Sequence, residues 1–394
     1  MNRPPAGWYP LLLATGSIGI ANSVVFSLLS NLQDKYGFSD AGLGLIAGSG
    51  FLVGLVGQIL LAPLADRGHS KALLIGGLAA AVLGSVFFAL SSSLVTLVAS
   101  RAVVGLSNSL FLPAARAIAV TISPDNVAER LGTMSGIELA GFVTGPVIGG
   151  FLVGPFGLKV PFLVTGAFAL AGAILLAPRK LPQPVRDHAP ERHRLALDLL
   201  RLPRIRSGVF MSVALFLPVG FYDATLDVYL TDRGASDVLI GMTFLAYGIP
   251  FVLLSTLGGR LADQRGAVRV AFISTLLVGP LTASYGLIAV PMVILVLTAV
   301  EGCLQALGVP ASQAMVAAAA PEGRAAAAQG LAGGSNLLVA AITAYSAGAL
   351  YKLLGAGWLY SIAGIGVAVF ALLGLWQASV GRKAEANAAL LSVS

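Results

Sequence analysis

Apart from Arg116, which lies near the end of its stretch, five ionisable side chains lie inside long apolar stretches of this sequence, where a charge is costly to maintain. They are Arg101, Glu138, Asp223, Asp227 and Glu301. A carboxyl group in such surroundings can take up and release a proton, and it can also bind a cationic group. The positions of these side chains therefore predict proton coupling or substrate binding in a largely apolar environment.

Glu301 is the strongest candidate for a titrating or substrate-binding carboxylate. It lies ten residues into its apolar stretch, ~15 Å from the end if the stretch is helical. Asp223 and Asp227 are four residues apart, so in a helix their like charges repel, and a proton on one of them relieves the repulsion. Asp227 has an alternative interpretation, because it lies nearer the outer end and can extend to the membrane surface.

Arg101 and Glu138 each allow a functional and a structural interpretation. Arg101 lies ~12 Å inside its stretch if the stretch is helical. This is too deep for a basic residue whose only role is to orient the chain across a membrane, so we expect Arg101 to face a cavity or a partner group. A structural ion pair is the alternative. We expect Glu138 to pair with a polar group of the eighth apolar stretch or to release protons to the cytoplasm, and a purely structural role remains open.

The composition identifies the environment of these residues as a lipid bilayer. Hydrophobic residues make up 57% of the 394 residues, and charged residues make up only 10%. Soluble domains carry roughly 25% charged residues, because their surface must be hydrated. Most of the surface of this protein is therefore expected to face lipid.

The charged residues form short islands that separate twelve apolar stretches, each long enough for a hydrocarbon layer ~30 Å thick. We predict that these stretches are helices, because a backbone in lipid must satisfy its own hydrogen bonds and the alternation typical of barrel strands is absent. The predicted spans are 10–31, 42–62, 71–91, 94–120, 131–153, 160–178, 208–231, 238–259, 267–289, 291–318, 326–350 and 356–380.

The distribution of Lys and Arg predicts the orientation of the chain. Eighteen of the 24 basic residues fall on the face that includes both termini, and four fall on the other face. This bias places both termini in the cytoplasm. We predict an N-terminal six-helix bundle over 1–178, a cytoplasmic linker over 179–207 and a C-terminal bundle over 208–394. Within the linker, residues 191–202 are expected to form a short interfacial helix with Leu195, Leu199 and Leu202 on one side.

The two halves of the chain repeat each other. A shift of 197 residues without a gap places Asp66 on Asp263, Gly105 on Gly302 and Pro113 on Pro310. Such a duplication predicts two pseudo-symmetric units with a substrate site near the membrane midplane, exposed to one side and then to the other.

Two copies of a loop motif add to the repeat. Residues 62–71 read APLADRGHSK, and residues 259–266 read GRLADQRG. The first copy is similar to the G-x-L-A-D-R-x-G-R-R/K loop of the major facilitator superfamily, although Ala62 replaces its first Gly. An Asp here can accept hydrogen bonds from a neighbouring helix N-terminus while its Arg pairs with another group. We expect a cytoplasmic gate formed by Asp66, Arg67, Asp263 and Arg265, and a merely solvated loop is the alternative.

Two further motifs carry the resemblance to this superfamily. Residues 101–105, RAVVG, resemble its R-x-x-x-G motif, and residues 141–150, GFVTGPVIGG, match the G-x-x-x-G-P-x-x-G-G motif that marks its antiporters and drug exporters. The motif positions in the second stretch are Gly141, Gly145, Pro146, Gly149 and Gly150. Gly141, Gly145 and Gly149 recur every four residues, a spacing that favours close helix packing. Helix packing without any role in antiport is therefore an alternative explanation of the pattern.

The resemblance to the twelve-helix drug:proton antiporters implies an all-α membrane protein with two six-helix bundles. It implies a secondary active transporter that exports small amphipathic or cationic compounds in exchange for protons, in a bacterial inner membrane. Four buried acids against one deep Arg also favour cationic or neutral substrates. Alternatives on the same fold are a lipid or lysolipid flippase and a proton-coupled metabolite transporter.

Uncharged residues of the spans are candidates for lining the transport path: Asn22, Phe26, Gln58, Asn108, Tyr222, Tyr247, Gln305 and Asn336. The sequence has no phosphate loop and no metal-spaced His or Cys cluster, so we expect neither an enzyme nor a metal site. Expected partners are the substrate, protons and membrane lipids, without nucleic acid or any cofactor beyond the proton, and the protein is expected to act as a monomer.

Overall fold

The computed structural model describes residues 7–38, 40–182 and 196–393, and all of their regular structure is helical. The α-helices are α1 (Trp8–Ser23), α2 (Leu29–Tyr36), α3 (Asp40–Leu64), α4 (Ser70–Leu90), α5 (Leu94–Ile122), α6 (Val127–Phe156), α7 (Lys159–Leu176), α8 (Pro203–Asp232), α9 (Asp237–Arg265), α10 (Ala267–Tyr285), α11 (Pro291–Ala319) and α12 (Ala325–Val393). Short 3-10 helices cover Val24–Leu28, Pro124–Asn126 and Ala196–Arg201, and a π-helical turn covers Ala65–His69.

Ten helical stretches of the described chain are long and apolar enough to cross a membrane. Two of these stretches, Gly42–Leu90 and Ala325–Ala384, are long enough for two crossings each. A glycine with positive φ interrupts each of them, Gly68 at 88° and Gly355 at 78°. Because L-residues rarely adopt this conformation, a glycine is suited to the point where the chain turns back. The predicted all-helical fold with twelve spans is confirmed.

Several helices begin with residues that favour a helix start. Ser93 and Thr96 form a reciprocal capping box at the start of α5, and the Ser236 hydroxyl accepts a hydrogen bond from the Leu239 amide at the start of α9. Pro203 and Pro291 are the first residues of α8 and α11, where a missing N–H removes no helical hydrogen bond.

The described residues group into two compact units. The first lies within Met1–Pro124, Ile137–Leu195 and Glu322–Gly334, and the second within Asp125–Gly136, Ala196–Pro321 and Ser335–Ser394. The first unit therefore includes the beginning of α12, from the second half of the sequence. The second unit includes the beginning of α6, from the first half. The division at a 179–207 linker stays a prediction.

The 197-residue repeat is visible in the helix contacts within each unit. In the first unit, a Cβ atom added to Gly105 would collide with the backbone of Gly50. In the second unit, a Cβ added to Gly302 would collide with the backbone of Tyr247, which lies 197 residues after Gly50. The same close crossing of two helices is thus built twice, and in both copies the absence of a side chain permits it.

The linker differs from its prediction where it is described. Residues 183–195, including Leu195, lie outside the described residues. Ala196–Arg201 forms a 3-10 helix, in which Leu199 is buried, whereas Leu202 just after it is exposed. The expected interfacial helix with these leucines on one face is therefore wrong in this part, because the 3-10 helix ends at Arg201 and the backbone of Leu202 is extended.

Candidate functional site

The Glu301 carboxylate lies on α11 in the interior of the second unit, where it is 1% exposed. Three neutral groups donate hydrogen bonds to it. The Tyr285 hydroxyl lies 2.6 Å away, the Gln305 Nε2 atom 3.0 Å, and the Tyr222 hydroxyl 3.1 Å. Helices α8, α10 and α11 each provide at least one member of this cluster. A buried carboxylate thus has its acceptor positions filled by hydroxyl and amide donors rather than by a cation.

A wider polar and aromatic network surrounds the Glu301 carboxylate. The hydroxyls of Tyr222 and Thr282 lie 2.8 Å apart, and the Tyr247 hydroxyl donates to Gln305 Oε1 at 3.3 Å. The ring of Tyr285 lies 5.5 Å from that of Tyr222 and 6.3 Å from that of Tyr360, measured between centroids. The prediction singled out Tyr222, Tyr247 and Gln305 but missed Tyr285 and Thr282, because no local pattern links residues of α10 to a glutamate of α11.

Asp223 and Asp227 lie on the exposed face of α8, whereas Thr225 and Tyr229 are buried on its inner face. Neither aspartate forms a hydrogen bond or ion pair with a described residue. The two aspartates therefore present open carboxylates on the helix that also carries Tyr222.

Arg101 is 2% exposed in the first unit, and no acidic side chain of the described residues pairs with it. Its Nη1 atom donates to the Asn22 carbonyl at 2.6 Å, and its Nε atom has no hydrogen-bond partner in the part of the chain that the structure describes. The guanidinium carbon lies 5.0 Å from the ring centre of Phe26 and 5.9 Å from that of Phe51, so aromatic faces take the place of a counterion. The structural ion pair that was the alternative for Arg101 is thus not seen among the described residues.

Glu138 forms an ion pair with Arg116, which lies one helix away on α5. Arg116 Nη2 and Glu138 Oε2 are 2.9 Å apart, and their side chains are 12% and 28% exposed. The expected partner on the eighth span is therefore wrong. Depth along the helix suggested a polar contact for Glu138, but the rotation of α6 about its axis decided which helix supplies it.

The two loop-motif aspartates bind the first turns of helices in the same register. Asp66 accepts hydrogen bonds from the amides of Ala326 at 2.8 Å and Ala327 at 2.7 Å. Asp263 accepts from the amides of Ala128 and Glu129, both at 2.9 Å. These amides are the second and third of α12 and α6, which have no acceptor within their own helix. Each carboxylate also faces the positive end of a helix dipole.

The arginines of the loop motif are placed differently from the aspartates. Arg67 is half-buried, and Arg265 is exposed. The ion pair at this end of the second unit is formed instead by Arg260, whose Nε lies 3.0 Å from Oε1 of Glu129. Arg260 precedes the Asp by three residues, so the motif spacing gave no reason to prefer it over Arg265.

The glycine stripe of α6 packs against α1 and the 3-10 segment that follows it. A Cβ atom on Gly141 would meet the backbone of Gly16, and Cβ atoms on Gly145 and Gly149 would meet the side-chain oxygens of Ser23 and Ser27. A Cβ on Gly150 would have no neighbour within 4 Å. Helix α6 continues through Pro146. The stripe therefore serves close helix packing in this structure, the alternative that its spacing left open.

The remaining candidates for the transport path divide into packed and accessible groups. Asn22 donates to the Ile18 carbonyl at 3.2 Å, and Asn336 donates to the Ser212 hydroxyl at 2.9 Å. Gln58 is buried against Gly333 at the start of α12. Phe26 and Asn108 are half-buried. Gln58 and Asn336 thus contact neighbouring helices, Asn22 bonds within its own helix, and in this group Phe26 and Asn108 keep part of their surface accessible.

Comparison with known proteins places this arrangement in a family. A sequence model of the Major Facilitator Superfamily matches residues 11–232 and 208–390, which together span nearly the whole chain. The chain belongs to the major facilitator superfamily. This membership identifies it as a multi-pass membrane protein of a transporter superfamily.

Several relatives of this superfamily member carry transporter names. It is 25% identical to the human "MFS-type transporter SLC18B1" over 66% of this chain and 59% of that protein. It is 27% identical to the "Multidrug resistance protein MdtG" of Serratia proteamaculans over 60% of this chain and 61% of that protein. It is 24% identical to the "Multi-drug resistance efflux pump PmrA" of Streptococcus pneumoniae over 68% of each chain. The resemblance to drug-exporting members of the superfamily is confirmed.

A solved structure supports the fold of this superfamily member. The human organic anion transporter MFSD10 (TETRAN) matches with a TM-score of 0.78, covering 94% of this chain and all of that chain at 20% identity. At this identity the likeness shows a shared fold. The aligned parts cover about three fifths of the length of SLC18B1 and MdtG.

Proposed function

We propose that this protein exports small amphipathic or cationic compounds in exchange for protons, by alternating access. We place it in a bacterial inner membrane with both termini in the cytoplasm, where it acts as a monomer without a cofactor other than the coupling proton. The names of MdtG and PmrA support export of drug-like compounds. The charge bias of the loops supports the orientation.

The buried Glu301 carboxylate carries the proposal of proton coupling. It is enclosed by hydroxyl and amide groups, which can serve either protonation state. The ionised carboxylate accepts all three hydrogen bonds, and the protonated group can donate its own proton to a tyrosine oxygen while a hydroxyl rotates. A buried site that holds either state without a fixed counterion suits a group that must load and release a proton.

The charges near Glu301 support a cationic substrate. The ion pair with Arg116 neutralises Glu138, so Glu301, Asp223 and Asp227 are the acids that remain available. The two aspartates are exposed on α8, and the same helix carries Tyr222, whose ring belongs to the tyrosine cluster. Open carboxylates together with aromatic rings form the chemistry that binds organic cations.

The Asp66 and Asp263 contacts support the proposal of a gate. Each carboxylate holds the first turn of a long helix by two hydrogen bonds, and neither contact involves a covalent or metal link. Contacts of this kind can be broken and reformed at modest cost in each cycle. We propose that transport releases these helix ends in turn.

Proteoliposomes with an imposed pH gradient test the proposed function, with ethidium as the fluorescent organic cation. We expect ethidium movement to be driven by the gradient in the unmodified protein. In Glu301→Gln, gradient-driven movement should be lost, because the amide cannot take up or lose a proton. Exchange of labelled for unlabelled ethidium without a gradient should persist, because the amide oxygen still accepts a hydrogen bond and its NH2 group can donate to a tyrosine hydroxyl that rotates. Asp223→Asn should weaken ethidium binding.

Asp232→Asn is the matched control for these variants. It makes the same chemical change on α8, at an exposed site where Tyr351 donates to the carboxylate, and an amide oxygen can still accept that hydrogen bond. Its transport should equal that of the unmodified protein. The coupling proposal fails if Glu301→Gln and Asp223→Asn both leave gradient-driven movement intact. Movement of a fluorescent lysolipid in place of ethidium would favour a flippase instead.

A further inference from the structure

A basic cavity lies at the end of the second unit where α9 ends and α10 begins. Its volume is about 560 Å³, and five helices contribute to its wall. Four arginines line it: Arg204 from α8, Arg265 from α9, Arg269 from α10 and Arg382 from α12. Among the described residues that line this cavity, none is acidic. A concave surface with this concentration of one charge is complementary to an anion.

The helix α10 adds to the positive character of this cavity. Its first three residues, 267–269, line the cavity, and no described side chain caps its N-terminus at Gly266. The amides of a first helical turn have no acceptor within the helix, and they favour a negative group. Arg265, Arg269 and Arg382 are exposed. Side chains and backbone thus direct donors towards the same space.

An apolar groove continues from the basic cavity along α10. The groove has a volume of about 330 Å³ and shares Arg265 and Arg269 with the cavity. Beyond these two arginines, its wall consists mainly of aliphatic side chains, among them Leu261, Ile273, Leu277 and Leu307. From Arg269 to Leu277 the groove follows α10 for ~12 Å. This distance leads from the level of the charged helix ends towards the hydrocarbon layer.

We propose that the cavity and groove together bind one anionic phospholipid, with its phosphate among the arginines and an acyl chain along α10. A free inorganic phosphate would use the basic cavity alone and would leave the aliphatic groove without an occupant. A neutral or zwitterionic lipid would use the groove but would not neutralise Arg265, Arg269 and Arg382. The joined pair fits a molecule that is anionic at one end and apolar at the other. The predicted orientation places the site at the cytoplasmic leaflet, where anionic lipids meet basic side chains.

Native mass spectrometry of the purified full-length protein in detergent tests this proposal. The probes are dioctanoyl phosphatidylglycerol, dioctanoyl phosphatidylcholine and inorganic phosphate. We expect saturable binding of one phosphatidylglycerol, with weaker binding of phosphatidylcholine and of phosphate. In Arg269→Gln/Arg382→Gln, phosphatidylglycerol affinity should fall about 30-fold, since each arginine near an anionic headgroup contributes about a factor of five.

Arg179→Gln/Lys180→Gln is the matched control, because it removes the same charge from two exposed residues of the first unit. It should leave phosphatidylglycerol affinity unchanged. Thermal unfolding without lipid checks that both double variants are folded. If Arg269→Gln/Arg382→Gln is unstable, the single variant Arg382→Gln replaces it, because this side chain is exposed near the end of α12.

Three results would overturn the proposal of a lipid site. Equal affinity for phosphatidylcholine would show that the headgroup charge is not recognised. Equal affinity for inorganic phosphate would identify a free anion as the occupant. An equal loss of phosphatidylglycerol binding in the cavity variant and the control variant would show that general surface charge, and not this cavity, attracts the lipid.

Discussion

Replacing Asp263 with Asn should release the first turn of α6 with almost no change in side-chain shape. The two carboxylate oxygens of Asp263 each accept one backbone hydrogen bond, from the amides of Ala128 and Glu129, at 2.9 Å. Asparagine keeps one acceptor oxygen but directs an NH2 group at the second amide. One hydrogen bond is therefore replaced by two opposed donors, and the negative charge at the helix end disappears.

The size of the effect follows from these two losses. A hydrogen bond to a charged group contributes about 1.5–3 kcal/mol, and a charge at a helix terminus contributes about 0.3–1 kcal/mol. Asp263 is half-buried, so solvent screens part of the interaction. We therefore take the lower end, about 2 kcal/mol, which corresponds to a roughly 30-fold increase in opening of this turn.

Hydrogen–deuterium exchange with mass spectrometry measures this opening. The amides of Ala128 and Glu129 are at helix positions that lack an acceptor within the helix, so the carboxylate supplies their protection. In Asp263→Asn we expect faster exchange in peptides covering 125–136 and unchanged exchange in peptides covering 322–334. Asp66→Asn is the matched control, because Asp66 binds the start of α12 in the same register. It should produce the opposite pattern.

Two outcomes would refute this reasoning. Unchanged exchange over 125–136 in Asp263→Asn would mean that the carboxylate does not hold the first turn of α6. Equally faster exchange of both segments in both variants would mean that each substitution destabilises the whole protein. The two aspartates would then not stabilise two helix starts independently.

Two further predictions concern packing and pairing in the first unit. Gly145→Ala should destabilise the protein by about 1–3 kcal/mol, because the added Cβ would meet the Ser23 hydroxyl. Gly150→Ala should be neutral, because its Cβ enters open space. Thermal unfolding compares the two variants, and equal melting temperatures would contradict the packing role of the stripe. A double-mutant cycle of Arg116→Gln and Glu138→Gln, measured as free energies of unfolding, should give a coupling energy of about 1 kcal/mol or more for the partly buried pair. Additive changes in the free energy of unfolding would show that the two side chains do not stabilise each other.

Features that depend on the solvent or on the backbone could be predicted from the sequence alone. The twelve spans follow from apolar length, because each crossing of the bilayer needs about the same number of residues. The helix-end contacts of Asp66 and Asp263 were also predictable, since a carboxylate beside an uncapped helix start satisfies a general need of the backbone. The buried position of Glu301 followed from its depth in an apolar stretch.

The partner of each polar side chain was decided only by the tertiary structure. Tyr285 contacts Glu301, Arg116 pairs with Glu138, and Arg260 pairs with Glu129. In each case the two residues lie on different helices, so no spacing along the chain relates them. Hydropathy reports how deep a residue lies, but the rotation and sliding of one helix against another determine which side chains meet. Those two variables are set by the packing of all the helices together, and a single stretch of sequence does not contain them.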